Sequence, residues 1–413
     1  MMSPLRLKPA SAITRQCSKQ ELDYVVHDPR TVDQKPSRTA CLPRQPPQAS
    51  LTAFTLNAIF EHLSPSTLAH VVLVCERWRA VAERLLYTSI VVSEILPRTS
   101  PTHFKSISMS PSIPARTLRC CETLSTYPHL AETVRRFHIR WQTESVESPA
   151  FLLFIAQNIV KTLLPTFVHL ESLELALGLA DYFPSTRNFF NPFTLPALRS
   201  LSLHGIGASP ELILRSHPDL LHFKLGDYIK PLSLAPDDIP CLSSFRGYPV
   251  TAASILPGRP VTGLSLVGYE FVTEEDLARI ASTSTPIRTL DLSGMSVTPT
   301  LLRDVSRHLP HVAHLKVRLA LRHTLHFALS GIRLLAALTT VIGAFHSLQL
   351  LDLSPTSTVV GAGASDAVEA EEQQLCAAWV RACPSLRRIV FPSHTEWSLA
   401  DGIWVAEPGS GCR

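Results

Sequence analysis

Charge is what this chain has least of. Only 17% of its 413 residues are Asp, Glu, Lys or Arg, against roughly 25% in ordinary soluble domains. The 38 basic and 34 acidic side chains leave a formal net charge of +4, too balanced for a protein whose main task is holding a nucleic-acid backbone. Cysteine is scarce as well. Nine residues, an odd number at irregular spacings, cannot form a disulfide scaffold. No Asn-x-Ser/Thr sequon occurs, and Met1 to Ala10 has no apolar core of the secretory kind. The most apolar run, Leu334 to Phe345, is twelve residues between Arg333 and His346, whereas a membrane span needs about twenty. The expectation is a cytoplasmic or nuclear protein with neither membrane nor nucleic acid as partner.

Catalytic signatures are missing too. There is no G-x-S-x-G, no H-E-x-x-H and no glycine-rich phosphate loop. His308, His311 and His314 stand three apart but straddle Pro310, and His323 and His326 follow without a Cys or acid at ligand spacing. Cys120-Cys121 and the pair Cys376/Cys383 read as buried thiols. Asp237-Asp238 reads as the cap of a short turn, and Glu369, Glu371 and Glu372 as a solvated helix face. The chain is expected to be no enzyme, with no cofactor and no metal.

What is present is apolar and punctuated. Apolar residues make up 45%, and 33 prolines exceed the usual share of about 5%. Residues 1–48 have no apolar period and seven prolines, and read as a disordered arm. From Leu51 the pattern changes. Leu56, Ile59, Phe60 and Leu63 form one helical stripe; Leu68, Val71, Val72 and Cys75 form a second; Trp78, Val81, Ala82 and Leu85 form a third. Ser64-Pro65-Ser66 separates the first two. About forty residues cannot normally bury enough surface to stand alone, so this three-helix module must lean on the remainder of the chain, on a partner, or on both. Residues 97–117, rich in Ser, Pro and Thr, read as a loop.

Beyond them one pattern recurs: an apolar residue, then others three and five positions later, the core of a leucine-rich repeat. It occurs as Val134/Phe137/Ile139, Leu170/Leu173/Leu175, Leu198/Leu201/Leu203, Leu220/Phe223/Leu225 and the degenerate Leu242/Phe245/Gly247. It continues as Val261/Leu264/Leu266, Ile287/Leu290/Leu292, Val312/Leu315/Val317, Leu348/Leu351/Leu353 and Leu386/Ile389/Phe391. Intervals run from roughly 19 to 38 residues. Pro196, Pro218, Pro240, Pro310 and Pro384 each sit two residues before a copy, where proline stops a helix and lets the next segment extend. Helices are expected from Thr273-Glu274-Glu275-Asp276, from Pro299 and from Asp366 toward Ala382, with Thr356 to Ser365 a loop.

Leu51, Leu56, Ile59, Phe60, Leu63, Leu68, Val74, Cys75 and Trp78 stand where an F-box carries its characteristic residues, and the segment 51–90 resembles that family. Thr52 occupies the usual proline position and Phe54 one where an acid is common. The whole order is similar to the large F-box families of basidiomycete fungi. The resemblance implies that these nine residues dock on a Skp-type adaptor, which joins a cullin-based ubiquitin ligase, while the repeats hold the protein to be ubiquitinated. A ligase-independent interaction scaffold built on the repeats is the alternative.

The expected architecture is α/β: a small all-α F-box at 51–90, then an irregular leucine-rich-repeat solenoid at 118–395 with a curved parallel sheet and helices outside, and a tail at 396–413. Counting from each copy's first apolar residue, positions +2, +4 and +6 face away from the core. They include Arg136, Arg140, Lys224, Arg246, Lys316, Arg318 and Arg388 against Glu174, Asp291 and Asp352. The expectation is a basic target-binding face suited to an acidic or phosphorylated segment of an unknown protein.

Overall fold

The structure, a computed structural model, describes residues 52–96, 113–143, 149–179, 189–190, 193–268, 272–320, 335–356 and 365–408. The expected arm at 1–48, Leu51, most of the expected loop at 97–117 and residues 357–364 lie outside these.

Three helices open the described chain: α1 (Ala53–Phe60), α2 (Pro65–Val71) and α3 (Glu76–Thr88). Each of the first two starts at a hydroxyl cap, Thr52 accepting from the Thr55 amide and Ser64 from that of Thr67, which satisfies an otherwise orphaned helix donor. Pro65 follows in the first turn, where its missing N–H costs nothing. The helices enclose a small core of Leu56, Phe60, Leu68 and Ala82, bordered by Leu63, Trp78, Val81 and Leu85. Trp78 meets Phe60 edge to face at 5.5 Å.

Helix α3 runs without a loop into a strand, β1 (Ser89–Leu96), which begins the sheet. After it come α4 (Ala115–Thr126), α5 (Pro128–Thr133), β2 (Arg136–Thr143), α6 (Pro149–Asn158), β3 (Ser172–Ala176), β4 (Ser200–His204), α7 (Glu211–Arg215), β5 (His222–Leu225), β6 (Ser244–Gly247), α8 (Pro249–Ile255) and β7 (Gly263–Val267). The chain continues through α9 (Glu274–Ile280), β8 (Thr289–Val297), α10 (Pro299–His308), β9 (His314–Leu319), α11 (Thr339–Ile342), β10 (Leu350–Asp352), α12 (Ser365–Ala382), β11 (Arg388–Val390), β12 (Thr395–Ala400) and β13 (Ile403–Pro408). Thr273 and Asp276 close a capping box on α9, and Thr298 with Pro299 starts α10.

Among the described residues all thirteen strands lie in one sheet in chain order. Strands β1 to β11 run parallel; β12 and β13 turn back antiparallel. The middle apolar residue of every copy pairs with the middle residue of the next, so Phe137, Leu173, Leu201, Phe223 and Phe245 form one buried ladder. Leu264, Leu290, Leu315, Leu351 and Ile389 extend it. Burial of each such side chain is worth about 1.5–3 kcal/mol. A second row runs beside it. The carbonyls of Arg135, Glu171, Arg199, Leu221, Ser243, Thr262, Arg288, Ala313 and Gln349 each accept two consecutive amides from the following copy, at 2.8–3.2 Å. Every one of these carbonyls belongs to the residue after a copy's first apolar position.

Three expectations need correction. Helix α4 begins at Ala115, inside the stretch read as loop 97–117. The expected tail at 396–413 is not a simple tail as far as 408, because Thr395–Ala400 and Ile403–Pro408 form the hairpin that ends the sheet, with Trp397 buried against Ile389; residues 409–413 lie outside the described residues. Glu372 is not on a solvated face. It is 1% exposed, since that side of α12 packs beneath the hairpin. No helix among the described residues is long and apolar enough to cross a membrane.

Candidate functional site

Two surfaces carry residues singled out in the sequence. The first is the three-helix module. Leu56, Phe60 and Leu68 turn inward and form its core, and Leu63 and Trp78 are half-buried against them. These five hold the module together rather than standing out as a contact surface. Ile59, Val74 and Cys75 are exposed. Sequence reasoning missed two larger exposed side chains beside them, Phe54 at 84% and Leu73 at 75%. Phe54 precedes the inward-facing Leu56 by two residues on α1, and Leu73 and Val74 lie in the turn that carries the chain from α2 into α3. That turn is closed by backbone bonds from Leu73 N to His70 O and from Val74 N to Val71 O, which leaves the side chains to point outward. The signal was readable: neither residue belongs to a stripe that the helical period assigns to the core.

Joining this module to the sheet is a copy that the sequence reading passed over. Tyr87, Ile90 and Val92 have the same three-and-five spacing, and Ile90 and Val92 pair with Phe137 and Ile139. The Thr88 carbonyl accepts the Arg135 amide at 2.9 Å. An aromatic in the first position, at the end of a helix, hid the pattern. On the helix side of β1, Glu94 accepts hydrogen bonds from the amides of Arg116 and Thr117 and from the Thr117 hydroxyl, which in turn accepts from Trp141 Nε1. A carboxylate there complements the positive end of α4.

The second surface is the open face of the sheet. The seven predicted basic residues do lie on it, but four of them reach an acid within 4 Å, Lys316 alone with acids as its register partners. Arg140 grips Glu174 with two bonds, Nε to Oε1 at 2.6 Å and Nη2 to Oε2 at 2.9 Å. Those bonds hold the Glu174 carboxyl below the usual range despite partial burial. Lys316 Nζ lies 2.8 Å from Asp352 Oδ2. Burial pushes the Asp352 carboxyl up, yet the bonds from Lys316, the Ser354 hydroxyl and the Ser354 amide together outweigh it and leave it lowered. Arg388 pairs with Glu396 on the hairpin strand β12, an acid the linear count did not include. Arg246 reaches Asp291 only at 3.9 Å and donates to the Ser265 hydroxyl at 3.3 Å. Arg136, Lys224 and Arg318 form no ion pair among the described residues. The face thus keeps its excess of cations, with four of the seven basic residues beside an acid and Arg136, Lys224 and Arg318 left over.

No group of three or more His, Cys, Asp or Glu among the described residues is placed to hold a metal ion. The buried histidine, His217, serves the fold, its Nε2 accepting from the Leu195 amide and its Nδ1 bonded to the Ile213 carbonyl. Burial lowers its pKa.

Residues 55–93 match the family model described as F-box-like. The match begins inside α1 and ends in β1, so it covers most of the module and the first part of the strand that fuses it to the sheet. No curated protein matches the chain.

Proposed function

We propose that this chain is the substrate-recognition subunit of a Skp-cullin-F-box ubiquitin ligase. The F-box-like segment docks on a Skp-type adaptor, and the sheet, read as a leucine-rich-repeat solenoid, holds the protein to be ubiquitinated. The chain performs no bond chemistry. It raises the concentration of its target near a ubiquitin-loaded enzyme. The observation that carries this reading is the family match at 55–93 on a module that already has its own core yet leaves Phe54, Ile59, Leu73 and Val74 in water. Exposed apolar residues on so small a unit mark a partner contact. The repeat reading is supported by copies whose middle residues share one register and whose neighbouring carbonyls share one bonding pattern.

The test is co-purification of the full chain with a Skp-type adaptor. Leu73→Asp with Val74→Asp alters exposed positions, so the melting temperature should stay within a degree or two while adaptor capture is lost. Undiminished capture by a folded double variant removes the docking claim. Capture of other proteins without any adaptor, by wild type, favours a ligase-independent scaffold.

A further inference from the structure

A single transverse row crosses the open face of the sheet. It runs through His138, Glu174, Ser202, Lys224, Arg246, Ser265, Asp291, Lys316 and Asp352, each the register partner of the next. From Asp291 onward the charges alternate, each base beside an acid. Between β5 and β6 the rule breaks: Lys224 and Arg246 are direct partners on strands about 4.8 Å apart, and the residues flanking them in the row are the neutral Ser202 and Ser265. Like charges directly opposite each other destabilise a sheet. Such a pair is retained at a cost to the free protein.

The two cations lie in a cleft of about 310 Å³ at the C-terminal ends of β4 to β8, walled by His204 and Tyr248. The wall depends on a glycine. Gly268 has φ +119°, and a Cβ there would come within 2.5 Å of the Tyr248 ring, so no larger residue fits without moving it. The acids nearby are otherwise engaged. Asp227 lies 3.0 Å from His204 Nδ1. Asp291 accepts from the Ser265 hydroxyl and the Ser293 amide and reaches Arg246 only at 3.9 Å. His222, in the adjoining row, is bonded to Ser244.

We propose that this cleft takes a phosphorylated side chain of the captured protein, a proposal that rests on the target-receptor reading above. A phosphate monoester brings close to two negative charges and three acceptor oxygens. Lys224 meets it as a point charge and Arg246 as a planar fork. One carboxylate would neutralise only one of the two cations. Occupancy therefore turns a repulsive pair into a bridged one, which favours phosphate over an acidic side chain.

The experiment is calorimetric titration of the full chain with capped tripeptides carrying phosphoserine, glutamate or serine between two alanines, with inorganic phosphate in a separate arm. The phosphoserine peptide should bind at least about tenfold more tightly than the glutamate peptide, the gain of one charge-assisted contact. Lys224→Gln with Arg246→Gln should abolish that preference while the melting temperature of the free protein holds or rises, because a repulsion has been removed. A melting temperature that falls would make the pair structural and overturn the proposal. Equal binding of the glutamate peptide, or retained preference in the variant, would overturn it as well. Inorganic phosphate binding as tightly as the phosphoserine peptide would assign the cleft to the free anion instead. No adaptor enters this measurement, so its failure is separate from failure of the docking test.

Discussion

The indole of Trp397 donates a hydrogen bond to Glu372 Oε2 at 2.9 Å, and the Ser393 hydroxyl donates to Oε1 at 2.6 Å. Together they tie the terminal hairpin to α12 through a carboxyl group sealed from solvent. Burial pushes that carboxyl up from its ordinary range more than the two bonds pull it down. The folded state therefore keeps its proton to higher pH than the unfolded chain does. Stability from this group is complete below the unfolded value and is lost as pH rises through the raised folded value. Glu372→Gln keeps one acceptor for Trp397 and presents an amide to Ser393. Thermal unfolding from acid to neutral pH should show wild type losing ground to the variant, and parallel curves would refute the assignment.

Truncation inside the module and charge placed on its surface should separate cleanly. Leu56 is 1% exposed at the centre of a core with three other fully buried members. Leu56→Ala should cost about 2–5 kcal/mol and melt the module, losing adaptor capture through unfolding. Circular dichroism and limited proteolysis distinguish this from the Leu73 and Val74 variants, whose structure should be intact.

Lys316 sits in register between Asp291 and Asp352. Reversing it to Glu would set three carboxylates side by side, at a cost of about 1 kcal/mol. Chemical denaturation should show the loss at neutral pH and recovery as the acids protonate. Arg318, which has no such acid among the described residues, can be reversed with little effect on stability and is the cleaner probe of the proposed target binding.

Two core substitutions should report on how the sheet is assembled. Leu290→Asp buries a charge between β7 and β9 and should cost more than about 4 kcal/mol, opening several neighbouring strands to protease. Phe391 stacks on Trp379 at 5.6 Å, and its amide bonds to the Thr395 carbonyl. Phe391→Asp should release α12 and the hairpin while strands near β2 stay protected. Cleavage maps from the two variants that coincide would argue against stepwise stacking.

The strands were legible wherever spacing and burial obey one rule, and Phe245 shows how far the rule reaches. Its copy ends in Gly247, where an apolar residue is expected, because a Cβ there would lie 2.6 Å from the Phe245 ring. The aromatic fills the space that two side chains share elsewhere. Tyr87 was hidden because it lies in the last turn of α3 while taking the first position of the copy. The hairpin of β12 and β13 carries no copy of its own, so no repeat could announce Trp397. Glu372 was misread because three acids in four residues look solvated, and only the packing of Trp397 reveals otherwise. On the open face, residue types told which side chains point outward but not who stands beside them. Arg140 and Glu174 are 34 residues apart, and nothing local predicts their grip.

The shared carbonyls beside the ladder separate two jobs along the chain. Each clamps the start of the next strand through two amides, so phase is set at one point per copy regardless of what lies between. Segments from one copy to the next range from roughly 19 to 38 residues, yet the middle residues of successive copies stay paired, and the register slips only later along the strands, after Ser265 and Leu292. Insertions and deletions on the helical side can then accumulate as neutral change, and the halves of a chain nicked there should remain joined. Such a scaffold can be diversified by descent: its connecting segments are free to drift in length and sequence while the frame that carries them is inherited unaltered.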